Sequence, residues 1–204
     1  MELQDLRKLS VISDGVGSGE AASKSSLAVI NMLERLLSGG FEEEKAIEIV
    51  NSIIKLKGDD ELFATLDAAI INEKDAECFF IKLGAAPTYL IENGKVVTIT
   101  STTIPVGLVD NTDYIPICKT LNEGDFIIQI SDGVISDDMD RNSNYLKNYL
   151  LTCDITKSAK VIAQEIKEVI YLNNGGVLDD DATVIVSKIE KNNSDAEFIC
   201  IFLL

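Results

Sequence analysis

Apolar residues in this chain change period in blocks. Two stretches with helical spacing lie back to back near the amino end and two more lie in the last third, while the rest reads as short strands and tight turns. Helices gathered in clumps and inserted into runs of hairpins do not alternate with single strands, as a doubly wound parallel sheet would require. The expected fold is α+β: an antiparallel β-sandwich flanked by helical pairs.

The first helix is expected from about Gly19 to Ser38, with Val29, Ile30, Leu33, Leu36 and Leu37 on its apolar face and Gly39-Gly40 as its stop. The second, about Glu42 to Lys57, opens with Glu42-Glu43-Glu44 against the positive helix end and turns Ala46, Val50, Ile53 and Ile54 inward. A short helix is expected near Asn144 to Leu151. Thr156 then reads as the N-cap of a fourth helix, with Ala159, Ile162, Ala163, Ile166 and Ile170 inward. Strands are expected at Phe63 to Ile71, Glu77 to Leu83, Thr88 to Ile91, Val96 to Ile99, Ile115 to Leu121, Phe126 to Ser131 and Ala182 to Val186; Asn93-Gly94 is a strong two-residue hairpin signal. No repeat of 20 to 50 residues and no low-complexity linker is apparent.

The 204 residues suit one domain, placed at 1–190, followed by a polar linker and apolar tail at 191–204. The seven apolar residues Phe198 to Leu204 fit either a terminal strand or a partner-binding, aggregation-prone edge. A net charge of -16 disfavours nucleic acid and anionic lipid, because counterion release needs clustered Lys and Arg. No run approaches the roughly 20 apolar residues that span a bilayer, so no membrane contact by the chain itself is expected. Four scattered cysteines without C-x-x-C fit small buried hydrophobes in the cytosol, Cys78 and Cys118 lying within strand-like runs.

The chain contains no histidine, which removes imidazole bases, His-ligated zinc and Ser-His-Asp triads. Aspartate is what remains. Ile12-Ser13-Asp14-Gly15-Val16 recurs unchanged as Ile130-Ser131-Asp132-Gly133-Val134, and Asp179-Asp180-Asp181 immediately precedes a strand. An aspartate at a strand end followed by glycine puts a carboxylate at the sheet rim and lets the backbone bend to expose a carbonyl; both are hard donors suited to Mg²⁺ or Mn²⁺. Two such ions roughly 3.5 to 4 Å apart can activate a water for in-line attack on phosphorus. Any one copy also fits a turn or an N-cap, and Asp179 to Asp181 also fits a solvated turn. Three adjacent carboxylates repel one another unless a cation or protons compensate. Gly17-Ser18-Gly19-Glu20-Ala21-Ala22 loosely fits a dinucleotide fingerprint, but no second strand ends in an acid about 20 residues on. A haloacid-type D-x-D is also missing after a strand, since Asp138-Met139-Asp140 lies in a polar stretch.

In order along the chain, Ser13 to Ala22, Phe63-Ala-Thr-Leu-Asp67, Lys82-Leu-Gly-Ala-Ala-Pro87, Ile104-Pro-Val-Gly-Leu108, Glu123-Gly-Asp125, Ile130 to Val134 and Asp180-Asp-Ala-Thr-Val184 resemble the metal-dependent PPM-type (protein phosphatase 2C-like) serine/threonine phosphatases, and within them the stage II sporulation protein E family. The resemblance runs from about Leu9 to Ile189. It implies two antiparallel sheets packed face to face with flanking helical pairs, and hydrolysis of phosphoserine or phosphothreonine by two Mn²⁺ or Mg²⁺ ions. By motif match, Asp14 would bridge the metals beside the Gly15 carbonyl, and Asp132 and Asp180 would complete the catalytic cluster, with Asp181 adjacent. It implies a phosphorylated anti-anti-sigma factor as substrate, freeing a sporulation sigma factor. It also implies a regulatory switch, and a homodimer contact, in the two helices after the first Asp-Gly. Family members carry earlier strands with a further metal-binding Asp, which Glu2 and Asp5 do not match. The expectation is an amino-terminally truncated domain from a cytosol-facing, membrane-anchored parent. The competing expectation is a non-catalytic interaction module that keeps the fold.

Overall fold

The structure is a computed structural model and describes residues 1–4, 6–15, 17, 19–56, 63–101, 103–110, 115–135, 139–178, 181–190 and 197–203. In chain order these form β1 (Arg7–Ile12), α1 (Glu20–Ser38), α2 (Glu43–Leu56), β2 (Leu66–Asn72), β3 (Glu77–Leu83), β4 (Thr88–Glu92), β5 (Lys95–Ile99), β6 (Ile117–Thr120), β7 (Phe126–Ile130), α3 (Met139–Thr152), α4 (Ala159–Asn173), β8 (Ala182–Lys188) and β9 (Glu197–Leu203). Two compact units result. Residues 1–85 and 101–120 carry the antiparallel sheet β1-β2-β3-β6 with α1 and α2; residues 86–100 and 121–204 carry the antiparallel sheet β5-β4-β7-β8-β9 with α3 and α4. The α+β expectation, with antiparallel sheets and a helical pair for each, is the architecture found.

In the first unit α1 buries Val29, Leu33 and Leu37, one per turn, against Leu9, Ile70 and Ile81 of the sheet. It stops where expected and for a physical reason: Phe41 N–H donates to the Leu36 carbonyl (3.1 Å) and Gly40 N–H to Leu37 (3.1 Å), with Gly40 at φ 83°, which only glycine adopts without strain. The inward face of α2 differs from the expected one. Ile53 is exposed, while Ile47 and the polar Asn51 join Ala46, Val50 and Ile54 inside. A stripe at 46, 47, 50, 51 and 54 follows the 3.6-residue period more closely, and Asn51 is tolerated because its amide finds backbone partners.

In the second unit, α4 turns Ala159, Ile162, Ala163, Ile166 and Ile170 onto Ile128, Val184 and Val186 as expected. Its N-cap is Ser158, which accepts from Val161 N–H, and not Thr156. Thr156 is captured two residues earlier, where its N–H and hydroxyl both donate to Asp154 Oδ1 (3.0 and 2.7 Å). The Asn93-Gly94 hairpin forms with both residues at positive φ (52° and 72°), joining β4 to β5. The apolar end of the segment set apart as linker and tail supplies β9, paired along β8 from Ala182↔Leu203 to Lys188↔Glu197. Cys78 is buried, and burial pushes its thiol pKa up; Cys118 is exposed on β6, contrary to expectation, because β6 is an edge strand. Among the described residues no helix is long and apolar enough to cross a membrane.

A polar junction ties α3 to the turn before α4. Glu165 accepts from the Tyr149 hydroxyl (2.8 Å) and from Lys157 Nζ (2.6 Å), and these hydrogen bonds hold its carboxyl below the ordinary value of 4.5. A depressed acid stabilises the fold above its unfolded pKa, and that contribution is lost as pH falls through the folded value. Thermal unfolding followed from about pH 6 to about pH 3 should therefore show an acid loss that is shallower in Glu165→Gln, which carries no titratable group there. Identical pH profiles would show that the junction contributes nothing.

Candidate functional site

Both copies of Ser-Asp-Gly sit where a strand leaves its sheet, and the same device fixes each. After β1, Ser13 Oγ donates to the Thr65 carbonyl (2.7 Å), Asp14 N–H donates to Thr65 Oγ1 (2.9 Å) and Thr65 N–H returns a bond to the Asp14 carbonyl (2.7 Å). The Asp14 backbone is thus bracketed by one threonine. After β7, Ser131 N–H donates to the Thr183 carbonyl (3.0 Å), while its hydroxyl accepts from Thr183 N–H (2.9 Å) and donates to the Asp181 carbonyl (3.4 Å). In each case the serine hydroxyl stitches the departing strand to its neighbour and the aspartate comes next.

The glycines are needed for space. A Cβ on Gly15 would fall 2.0 Å from the Ala22 carbonyl oxygen in the first turn of α1, and one on Gly133 would fall 2.3 Å from that of Asp181. Each backbone is pressed onto a neighbouring carbonyl, an approach open only to a residue without a side chain. Gly15 also forms an antiparallel bridge with Ala64, which bridges Val106 on its other side.

Asp132 opens a 3-10 turn, with Ile135 N–H donating to its carbonyl (2.7 Å). Its side chain is exposed, and Oδ1 accepts from Gly133 N–H (3.0 Å). Asp181 is exposed at the start of β8, so the Ser131 and Gly133 contacts bring the Asp132 and Asp181 backbones to neighbouring positions on one sheet rim. Asp14 is half-buried at the corresponding rim of the first unit. Asp179 and Asp180 lie outside the described residues, as does Val16. Among the described residues no three His, Cys, Asp or Glu side chains form a metal-holding group. The donors at these turns are carboxylate and carbonyl oxygens, a set that fits a hard divalent cation such as Mg²⁺ or Mn²⁺ and not a soft one.

Four residues important to this geometry do not stand out individually in the sequence motifs. Thr65 and Ser131 bracket the aspartate turns. Asp67 and Lys82 face each other across β2 and β3, with Nζ 2.8 Å from Oδ2 and almost no exposure. That pair does carry a sequence signal, since each member is an isolated charge in an apolar strand, Leu66-Asp-Ala-Ala-Ile70 and Phe79-Phe-Ile-Lys-Leu83.

Two antiparallel sheets, each with its helical pair, and a glycine-cradled aspartate at strand ends define a PP2C-like α+β domain. The solved PP2C phosphatase domain with a fragment of the regulatory domain of SpoIIE from Bacillus subtilis matches with a TM-score of 0.80 at 30% identity, over 90% of this chain and 55% of that chain. A manganese-presoaked form of the SpoIIE phosphatase domain matches at 0.61 and 25% identity, over 95% and 91%. Residues 5–190 match the family of stage II sporulation protein E (SpoIIE), and stage II sporulation protein E of Bacillus subtilis (strain 168) is 31% identical over 194 residues. The chain belongs to the stage II sporulation protein E family. It represents 94% of its own length in that alignment but only 23% of the relative's.

Proposed function

We propose that this chain is the catalytic domain of a metal-dependent protein serine/threonine phosphatase that removes phosphate from phosphoserine on a regulatory protein, a phosphorylated anti-anti-sigma factor in sporulation. The observation that carries this reading is the duplicated Ser-Asp-Gly turn, built by the same hydroxyl-to-backbone stitching at the ends of β1 and β7 in a chain matching the SpoIIE family over residues 5–190. Asp14, Asp132 and Asp180 are the proposed catalytic carboxylates, and the Gly15 carbonyl and Asp181 complete the proposed metal-binding set. A Mn²⁺ or Mg²⁺ pair held by these residues would supply a water activated for attack and neutralise charge on the phosphoryl oxygens. The protein's part is to hold the carboxylates with fixed backbones: Thr65 does so for Asp14, and Ser131 with Gly133 for Asp132 and Asp181. Such preorganisation avoids reorganising ligands during the reaction.

A cytosol-facing position and self-association through α1 and α2 belong to the same reading. Leu27, Phe41, Ile53 and Leu56 are exposed large apolar side chains on or between those helices, which supports a surface with a partner. The direct test is hydrolysis of a phosphoserine peptide by chelated protein before and after Mn²⁺ is restored. Phosphate release only with the metal is expected. No release in either state, together with partner binding that survives chelation, would sink the enzymatic reading in favour of an interaction module.

A further inference from the structure

Helix α2 turns a polar side chain into its own core. Asn51 is 1% exposed, on the same stripe as Ala46, Ile47, Val50 and Ile54. A buried amide is stable only when hydrogen-bonded, and this one meets a loop shaped to receive it. Oδ1 accepts from Gly107 N–H (2.8 Å), and Nδ2 donates to the carbonyls of Val109 (3.0 Å) and Asp110 (3.3 Å). Gly107 sits at φ 90°, so the chain curls around the amide at a position where another residue would be strained. One helical turn later, Lys55 pairs with Asp110 on the outside of the same loop.

That loop is the far end of a short strip lying outside the named strands. Val106 N–H donates to the Ala64 carbonyl (2.9 Å), and Ala64 N–H returns the bond (3.3 Å). Ala64 bridges Gly15 on its other side, and the next residue, Thr65, brackets the Asp14 backbone. From the Asn51 side chain to the first Asp-Gly turn there is therefore an unbroken run of hydrogen-bonded and bridged residues within one unit. Each link is an isolated bridge and not part of a ladder, so the strip has few bonds of its own to hold it in place.

We infer that Asn51 is a positioning residue: by pinning the Gly107 to Asp110 loop to α2, it sets the Val106–Ala64 strip and with it the Gly15 carbonyl and Asp14 carboxylate offered to a divalent cation. This rests on the metal reading above and extends it to a residue three contacts away. A residue that merely filled the core would affect the whole sheet equally. Loss of a positioning residue loosens the strip selectively and weakens binding of the ion it serves.

The experiment compares wild type with Asn51→Ala by amide hydrogen exchange and by Mn²⁺ titration followed through the free-ion EPR signal. Exchange at Gly107, Val106, Ala64 and Thr65 should rise by about tenfold relative to Ile70 and Ile81 in the same sheet, and Mn²⁺ should bind roughly tenfold more weakly, the scale seen when support behind a metal ligand is removed. A uniform rise across the sheet overturns the inference, as does unchanged Mn²⁺ affinity despite faster exchange in the strip. Where Asn51→Ala does not fold, Asn51→Asp keeps the acceptor for Gly107 and the side-chain volume but loses both donations, and the same selective pattern decides the matter. Asp14→Asn in the same titration separates the two readings. Unaltered Mn²⁺ binding there shows that Asp14 is no ligand and the proposed function is at fault, whereas the exchange pattern still reports whether Asn51 holds the strip.

Discussion

In Asp132→Asn, Mn²⁺-dependent hydrolysis of a phosphoserine peptide should fall by at least about a hundredfold while the fold stays intact. A metal ion contributes several kcal/mol of transition-state stabilisation, and about 1.4 kcal/mol corresponds to a factor of ten in rate. Loss of one of its carboxylates is therefore expected to cost at least two such factors. Stability should hardly move, for two reasons visible in the structure. The Asp132 side chain is exposed, and such substitutions are usually worth within about 0.5 kcal/mol. Its Oδ1 accepts from Gly133 N–H, a bond that the asparagine Oδ1 can keep. Unchanged turnover would remove Asp132 from the ligand set. Asp181→Asn beside Asp180→Asn then settles which residue of the acidic run is used, since the motif match assigns the larger loss to Asp180.

What the sequence made legible follows from local physics. The Val29, Leu33 and Leu37 stripe of α1 and its Gly39-Gly40 stop, the inward set of α4 and the Asn93-Gly94 turn all depend on residues within a few positions of one another, and all are found, whereas Ile30 and Leu36 of the expected α1 face are only half-buried. The Ser-Asp-Gly repeat pointed to rim carboxylates without revealing how they are fixed. Thr65 lies 51 residues from Asp14, and Thr183 lies 52 from Ser131, distances that no local pattern spans. Asn51 is not legible in the sequence, because the Gly107 to Asp110 loop that satisfies its amide lies more than 50 residues away. At 156 and 158 two hydroxyls competed for one cap, and the nearby Asp154 decided it by claiming Thr156. Cys118 required knowing that β6 is an edge. The Asp67–Lys82 pair required strand register, which the Asn72 to Ala76 connection sets with Ala76 at φ 57°, a conformation its side chain does not advertise.

Replacing Lys82 alone with Met should destabilise the protein by about 3 to 5 kcal/mol, because it leaves the Asp67 carboxylate in the sheet without the ammonium that faces it. Replacing both, Asp67→Leu with Lys82→Met, should return stability to within about 1 kcal/mol of wild type or above it, since apolar residues of similar volume commonly match or exceed a buried ion pair. The Lys82 pKa supports that asymmetry: burial pulls it below the ordinary 10.5 more strongly than Asp67 pulls it up. Between the folded value and 10.5 the unfolded chain holds more protons at this lysine, so its contribution to stability rises with pH across that window, and Lys82→Met should abolish the rise. Denaturant unfolding of the two single variants and the double variant completes a cycle. If the double variant loses the sum of the single losses, the two charges do not act as a pair, and each is held by other groups at its own end.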